Sequence, residues 1–455
     1  MFLHDRAGQV KEYLHGWLLE ELVFAFFGLV LLVPVAWAFD KGAVISACMA
    51  LIAMSPIWLP VYLFNFFWLS WMHYIRYIFW FSQENVLLEV QLPPEVEKSP
   101  KAMEMVLNAI HNAGGEATFI ARIWRGTYRP IWSFEIACNE GRLGFYIRTP
   151  KGWRNILEAR MYGQFPEAKF IEVEDYAAKV PFNLNEYSIF AAEYKKKKDI
   201  AHALPIKTYI DFGLDKDPDE ELKIDPITNV LELLAQIGKN EYFWLQFVVK
   251  ARKKEEWYGF YLSGNKFIDD GKKEIAAMMA GAADRAKKLT ADPVLQAQAA
   301  ARGMTLLTQA EKERMENIER SMSKQVFECG IRVAYLAKKD NFVGVNAGAV
   351  VRFFDTFNGE TQNNGLGASR GSPGYDFPWQ DWNQMRQNIE RRNMFFRYKH
   401  RAFFYVPYEQ QPEFLTTEEL ATLWHFPSSS VKTPGLNRVS SRRAEAPANL
   451  PTLSE

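Results

Sequence analysis

The hydrophobic pattern of this chain falls into blocks of different period. From Leu18 to Phe39 it reads LLEELVFAFFGLVLLVPVAWAF, charged only at Glu20 and Glu21. Asp40, Lys41 and Gly42 follow, and then Ala43 to Trp71 carries no charged side chain. A helix over the first run is about 33 Å long, enough to cross a bilayer's hydrocarbon core. Backbone in lipid has to satisfy its own hydrogen bonds, so the two runs are read as a transmembrane hairpin with helices over about 18–39 and 43–71. A soluble helix normally keeps a polar stripe, and these runs show none. Trp68, Trp71, Tyr74, Tyr77 and Trp80 crowd the exit as an interfacial belt does, and Pro34, Pro56 and Pro60 are points for kinks.

Residues 1–17 read as a short amphipathic lead-in lying on the membrane surface. Arg6, Lys11 and Arg76 flank the hairpin, while its turn offers only Lys41. The positive-inside rule therefore predicts a cytoplasmic (inner) membrane protein with both termini and the main body in the cytoplasm.

After residue 80 the period changes. VLLEVQL at 86–92 predicts a strand stopped by Pro93-Pro94, and Ser99-Pro100 opens a helix with Met103, Val106, Leu107 and Ile110 on one face. Strands over 131–138 and 143–149, a helix over 154–165 and a strand over 169–173 complete a β-α-β-β-α-β order across 81–180. That is the ferredoxin-like plan. The order is read again over 200–410, with strands at 206–212, 242–249, 326–336 and 402–406 and helices after Asp225-Pro226 and over 345–357. A helical insertion over 253–324, rich in Ala, Lys, Glu and Met, interrupts it. The predicted fold class is thus α+β and membrane-anchored, with tandem ferredoxin-like units. Residues 358–374 (NGETQNNGLGASRGSPG) read as a mobile loop and 428–455 as an extended tail.

Composition adds limits rather than a direction. Lys plus Arg and Asp plus Glu both number 54, so there is no net field favouring nucleic acid. Cys48, Cys138 and Cys329 are scattered, without a metal-ligand spacing or a disulfide framework. There is no phosphate-cradling G-x-x-x-x-G-K-[ST], no H-E-x-x-H and no G-x-S-x-G. No residue nominates itself as catalytic, cofactor-binding or metal-ligating, and no cofactor is expected. Two charge runs have alternative readings. Lys195, Lys196, Lys197 and Lys198 are either a lipid-facing basic patch or a solvated linker. Arg391, Arg392 and Arg397, interleaved with Phe395, Phe396 and Tyr398, are either a grip for single-stranded nucleic acid or an amphipathic helix with an aromatic core face.

Several stretches carry a resemblance. Asn85 to Val90, Leu92-Pro93-Pro94-Glu95, Ala102-Met103-Glu104, Gly114-Gly115-Glu116 and Asp376-Phe377-Pro378-Trp379-Gln380-Asp381 look like a bacterial domain of unknown function. The block Leu415 to Pro427 (LTTEELATLWHFP), then Val431 to Gly435 and Ala444 to Pro451, is similar to the segment leading into the motor domain of type IV secretion and conjugation ATPases of the HerA/FtsK-like superfamily. The sequence stops at Glu455 with no motor, so the resemblance implies a non-enzymatic accessory subunit of a transfer apparatus, partnering a separate motor ATPase. It also allows homo-oligomers. Leu420, Leu423, Trp424 and His425 are the expected docking residues for that partner; Leu420, Leu423 and Trp424 also read as the core face of a capped surface helix, and the two readings are compatible. The alternative function is a membrane-tethered nucleic-acid-binding module.

Overall fold

The structure is a computed structural model and describes residues 40–427, apart from 94–97, 113, 115–117, 198–200, 216–224, 254–255, 259–260, 264, 290–306, 360–361, 371–376, 378 and 406–407. The expected lead-in, the first anchor helix over 18–39 and the tail over 428–455 lie outside the described residues. In chain order the elements are α1 (Lys41–Ala53), α2 (Ser55–Ser82), β1 (Asn85–Gln91), α3 (Pro100–Ile110), α4 (Phe119–Ile123), β2 (Ile131–Asn139), β3 (Arg142–Pro150), α5 (Arg154–Gln164) and β4 (Lys169–Val173). They continue as α6 (Tyr176–Lys179), β5 (Tyr187–Lys196), α7 (Ile227–Ala235), β6 (Glu241–Ala251), β7 (Glu256–Tyr258), β8 (Tyr261–Ser263), α8 (Lys266–Leu289) and α9 (Gln309–Ser323). Last come β9 (Val326–Lys338), α10 (Gly344–Val351), β10 (Leu366–Arg370), α11 (Met385–Lys399), β11 (Glu413–Thr416) and α12 (Thr417–Leu423). The chain divides into two compact units. One gathers residues 1–83, 115–128 and 402–410, and the other 84–114, 129–401 and 411–455.

In the first unit, Asp40 caps α1 by accepting from the Gly42 and Ala43 backbone N–H groups at 2.8 and 3.1 Å. Where one helix is expected over 43–71, with kink points at Pro56 and Pro60, two helices stand: α1 and α2 meet at Met54 in a bend of 66°. Pro56, in the first turn of α2, brings no N–H to the helical ladder. The Trp58 indole instead donates to the Leu51 carbonyl across the break at 3.1 Å. No single helix among the described residues is long and apolar enough to cross a membrane, but α1 and α2 are when taken together across the bend. Ile45, Met49, Leu51, Ile52, Ile57, Val61 and Phe64 on these helices are exposed. The strand expected over 402–406 is also corrected, since residues 402–405 form bends in which Tyr405 packs on Tyr77, Trp80 and Phe81.

The second unit is α+β, built on a nine-stranded antiparallel sheet in the order β10-β5-β9-β6-β2-β3-β1-β4, with β11 pairing β9 beyond the end of β5. Each half of that path runs fourth, first, third, second in chain order, and the two second strands, β6 and β2, pair at the middle from Ile131↔Lys250 to Asn139↔Tyr242. Strand alternation divides the side chains between two faces. One face buries Leu88, Phe134, Ile136, Phe145, Leu245, Phe247 and Val333 against α3, α5, α7, α10 and α12. The other buries Ala137, Trp244, Ala334, Ile189 and Leu336 against α6 and α11.

Three expected features of the second half are corrected. Residues 206–212 turn rather than extend, and the strand that opens this half is β5, whose apolar positions at Tyr187, Ile189 and Ala191 are buried. The loop expected over 358–374 contains β10, which pairs β5 from Leu366↔Lys196. The helix expected over 345–357 stops at Val351 and is followed by a short 3-10 turn, Asp355–Phe357.

Gly126 carries the tightest approach in the first unit. Its φ is +60°, and a Cβ there would lie 2.4 Å from the Ile75 carbonyl oxygen. Gly126→Ala is therefore expected to prise residues 118–128 off α2, read as faster tryptic cleavage after Arg122 and Arg125 in an otherwise intact chain.

Candidate functional site

Four apolar strands each carry a charged or amide residue near their centre on the face beneath α11: Glu135 in IWSFEIACN, Gln246 in EYFWLQFVV, Arg332 in CGIRVAYL and Glu193 in IFAAEYKK. The register brings them side by side. Glu135 stands opposite Gln246, Gln246 opposite Arg332, and Arg332 opposite Glu193. The result is a buried polar row across the four central strands. Burial of such a row is tolerated only when every charge is paired.

Helix α11 supplies the missing partners. Asp381 caps its start, accepting from the Arg386 and Gln387 backbone N–H groups at 2.7 and 3.0 Å. At its far end Arg401, held in the left-handed region at φ 52°, donates from Nε and Nη2 to the two Glu135 oxygens at 2.8 and 2.9 Å and also pairs with Asp175. Glu135 further accepts from Ser133 Oγ at 2.5 Å, Tyr176 Oη at 2.7 Å and Gln246 Nε2 at 3.1 Å. Arg332 pairs with Glu193 at 3.2 Å and donates to the Arg397 carbonyl at 3.1 Å, while Arg397 pairs with both Glu193 and Glu390.

Burial raises the Glu135 carboxyl, but the Arg401 charge and the bonds from Arg401, Ser133 and Tyr176 outweigh it and hold it below the usual carboxylate range. Burial likewise opposes the Arg401 charge, and Glu135 and Asp175 more than restore it. The Tyr176 and Tyr398 hydroxyls, 2.8 Å apart, are pushed well above their ordinary value by burial and by the Glu135 charge. The network fixes helix α11 to the sheet.

The residues nominated from the sequence are mostly interior. Leu420, Leu423, Trp424 and His425 are all buried, so the docking surface expected of them gives way to the core-face reading. Helix α12 is held by a capping box in which Thr416 and Glu419 bond reciprocally. Trp424 packs on Phe134, Phe145 and Phe426 and donates its indole N–H to the Glu135 carbonyl at 3.3 Å. His425 sits between the Ala421 carbonyl and the Asp225 carboxylate, at 3.0 and 3.1 Å.

Lys195 and Lys196 of the lysine run close strand β5. Lys196 is buried and pairs with Glu419 at 2.7 Å, which joins the run to α12. Lys195 is half-buried, Lys197 is exposed and Lys198 is outside the described residues. Of the arginines, Arg397 is consumed by Glu193 and Glu390, Arg391 is half-buried and Arg392 is exposed. The segment is thus an amphipathic helix with Met394, Phe395 and Tyr398 on its core face.

A second charged cluster lies beside α12. Glu104 accepts from Tyr209 Oη and Lys324 Nζ, both at 2.6 Å, and from Thr417 Oγ1 at 3.3 Å. Glu418, its carboxyl raised by burial, accepts from Thr208 Oγ1 at 2.7 Å. A cleft of about 300 Å³ opens there, lined by Lys101, Glu104, Asn108, Tyr209, Asp215 and Lys324. Among the described residues, no group of His, Cys, Asp and Glu is arranged to hold a metal ion.

The geometry defines an α+β protein whose antiparallel sheet is clamped through buried ion pairs. Residues 81–438 match a family model described as a domain of unknown function, DUF8128, and the chain belongs to that family. A search of curated proteins finds no match.

Arg401→Met leaves Glu135 charged and unpaired, and is expected to cost about 3–5 kcal/mol in denaturant unfolding. Adding Glu135→Gln should recover much of that loss, a non-additivity that a double-mutant cycle measures. Because the folded state lowers the Glu135 pKa, its stabilisation is present at neutral pH and lost as pH falls through the folded-state value. The double variant should lack that share of acid sensitivity. Trp424→Ala is expected to cost about 3–5 kcal/mol in the same measurement, as a core truncation does.

Proposed function

We propose that this chain is a non-enzymatic accessory subunit of a type IV secretion or conjugation-like transfer apparatus, anchored in the bacterial inner membrane beside a separate motor ATPase. The observation that carries the anchor is the exposed apolar surface of α1 and α2, from Ile45 to Phe67, too extensive for a side chain array facing water. Asn65, a polar residue in that stretch, bonds its own helix at the Val61 carbonyl (3.0 Å), which suits a helix in lipid.

The accessory role rests on the resemblance of Leu415 to Pro427 to a motor-entry segment. It meets one of the earlier resembling stretches, since Thr417 bonds Glu104. Such a segment would present whatever follows it from a rigid base. The two half-sheets are read as ferredoxin-like units, supported by the repeated order β4-β1-β3-β2 and β10-β5-β9-β6 with two helices in each half on one face. The nucleic-acid reading loses Arg397 to buried ion pairs.

The full chain is expected to stay with membranes through an alkaline carbonate wash. Affinity purification after detergent extraction should then recover an ATPase carrying a phosphate-binding loop. Release by carbonate would remove the anchor, and repeated purification without an ATPase would remove the accessory role.

A further inference from the structure

Residues 118–128 form a small element on the flank of α2. Thr118 Oγ1 accepts from the Ala121 N–H at 3.1 Å to start α4, and the Thr127 N–H returns to the Ala121 carbonyl at 2.9 Å to close it. Several contacts hold it to α2. The Trp71 indole donates to the Ile123 carbonyl at 2.9 Å, Trp71 and Trp124 meet edge to face at 5.7 Å, and Gly126 lies against the Ile75 backbone. Ile123 is buried by this docking.

The outer side of the element is apolar. Phe119 is 54% exposed, Ile120 59% and Trp124 64%. Three arginines accompany them: Arg122 on α4, the exposed Arg125 one residue beyond Trp124, and Arg76, whose guanidinium lies over the Tyr128 ring at 5.5 Å. A large aromatic and an aliphatic side chain beside arginines is the composition that settles at the boundary between acyl chains and anionic headgroups.

The attachment point gives the depth. The charge-free run from Ala43 ends at Arg76, and Trp71 lies five residues before that end. Along a helix those residues are about 7.5 Å apart. The element is therefore fixed beside the first charge that α2 carries. Trp71, whose ring Trp124 meets, also touches Phe67 and Tyr74, and both of those are exposed.

We propose that residues 118–125 are a second membrane contact, a wedge that seats Phe119, Ile120 and Trp124 in the interfacial layer of the bilayer and sets Arg122 and Arg125 against anionic headgroups. This rests on the reading that α1 and α2 enter the membrane. The wedge comes from a part of the chain distant in sequence from the anchor, and it is braced on α2 by backbone contact. It fixes how α2 is rotated and how deep it sits, which a helix held only by its own apolar surface does not do.

The test uses the full chain with Cys48→Ser, reconstituted in vesicles of phosphatidylethanolamine and phosphatidylglycerol. Single nitroxide labels are placed at Ile57→Cys, Phe119→Cys, Ile120→Cys and Lys339→Cys, and collision with oxygen is compared with collision with a water-soluble nickel chelate. Labels at 119 and 120 are expected to favour oxygen, at a level between the lipid-embedded 57 and the aqueous 339. They should lie shallower in phosphatidylcholine alone. Labels at 119 and 120 that match 339 while 57 stays in lipid would overturn the wedge and leave the anchor standing. A label at 57 in water would remove the anchor and the wedge with it. Exclusion of both reagents at 119 and 120 would show a protein partner, such as a second copy, and also overturn the proposal. Equal depth in the two lipid mixtures would overturn the role given to the arginines.

Discussion

A carboxylate buried in the middle of an apolar sheet has to be met by a cation, and Glu135 is met by Arg401. The two come from positions far apart in sequence, on β2 and at the end of α11, so the pair closes only when the sheet and the helix over it are both in place. The polar neighbours extend the arrangement along the row. Ser133, Tyr176 and Gln246 complete the shell of Glu135, and Arg332 and Arg397 share Glu193 at the other end. Replacing such a row by apolar side chains need not reduce stability. What the ions add is direction, since only one placement of α11 satisfies all of them.

The two faces of the sheet are braced differently. Beneath α11 the contacts are ionic and run across the strands. On the opposite face α12 lies among aromatic rings, with Trp424 against Phe134 and Phe145, and ties the β5 lysine Lys196 to Glu419. Because Trp424 also bonds the Glu135 carbonyl, the backbone of one residue is held from one side while its side chain is held from the other. The middle of the sheet, where β2 and β6 pair, is thereby held from both faces.

Much of the framework could be read from pattern alone, for physical reasons that also explain the failures. VLLEVQL and the run around Phe134 alternate or stay apolar for the length of a strand, and β1 and β2 lie there. PKAMEMVLNAI has a clean apolar stripe and a proline start, and α3 lies there. β5 escaped because its far end is a lysine run, and Lys196 is acceptable in a strand only because Glu419 waits for it from a segment more than two hundred residues away. β10 escaped because LGASR is short and mostly small or polar, with Leu366 its one large apolar side chain. The polar row had a signal, a single charged or amide residue at the centre of each of four apolar strands. The register that aligns them is tertiary information. Leu420 and Trp424 announced a helix face, but nothing local distinguishes a face turned to a partner from one turned inward.

The place where β6 gives way to β9 has one more consequence. Ala251 and Phe327 are paired neighbours in the sheet, yet the chain between them includes β7, β8, α8 and α9. Topologically that whole excursion is a hairpin turn, with its two ends already fixed by the ladder. Lengthening a loop between fixed ends is thermodynamically mild, about 0.6 kcal/mol for each doubling. This corner of the sheet is accordingly a site where the molecule can gain or exchange an appendage while the clamped row of ions stays as it is.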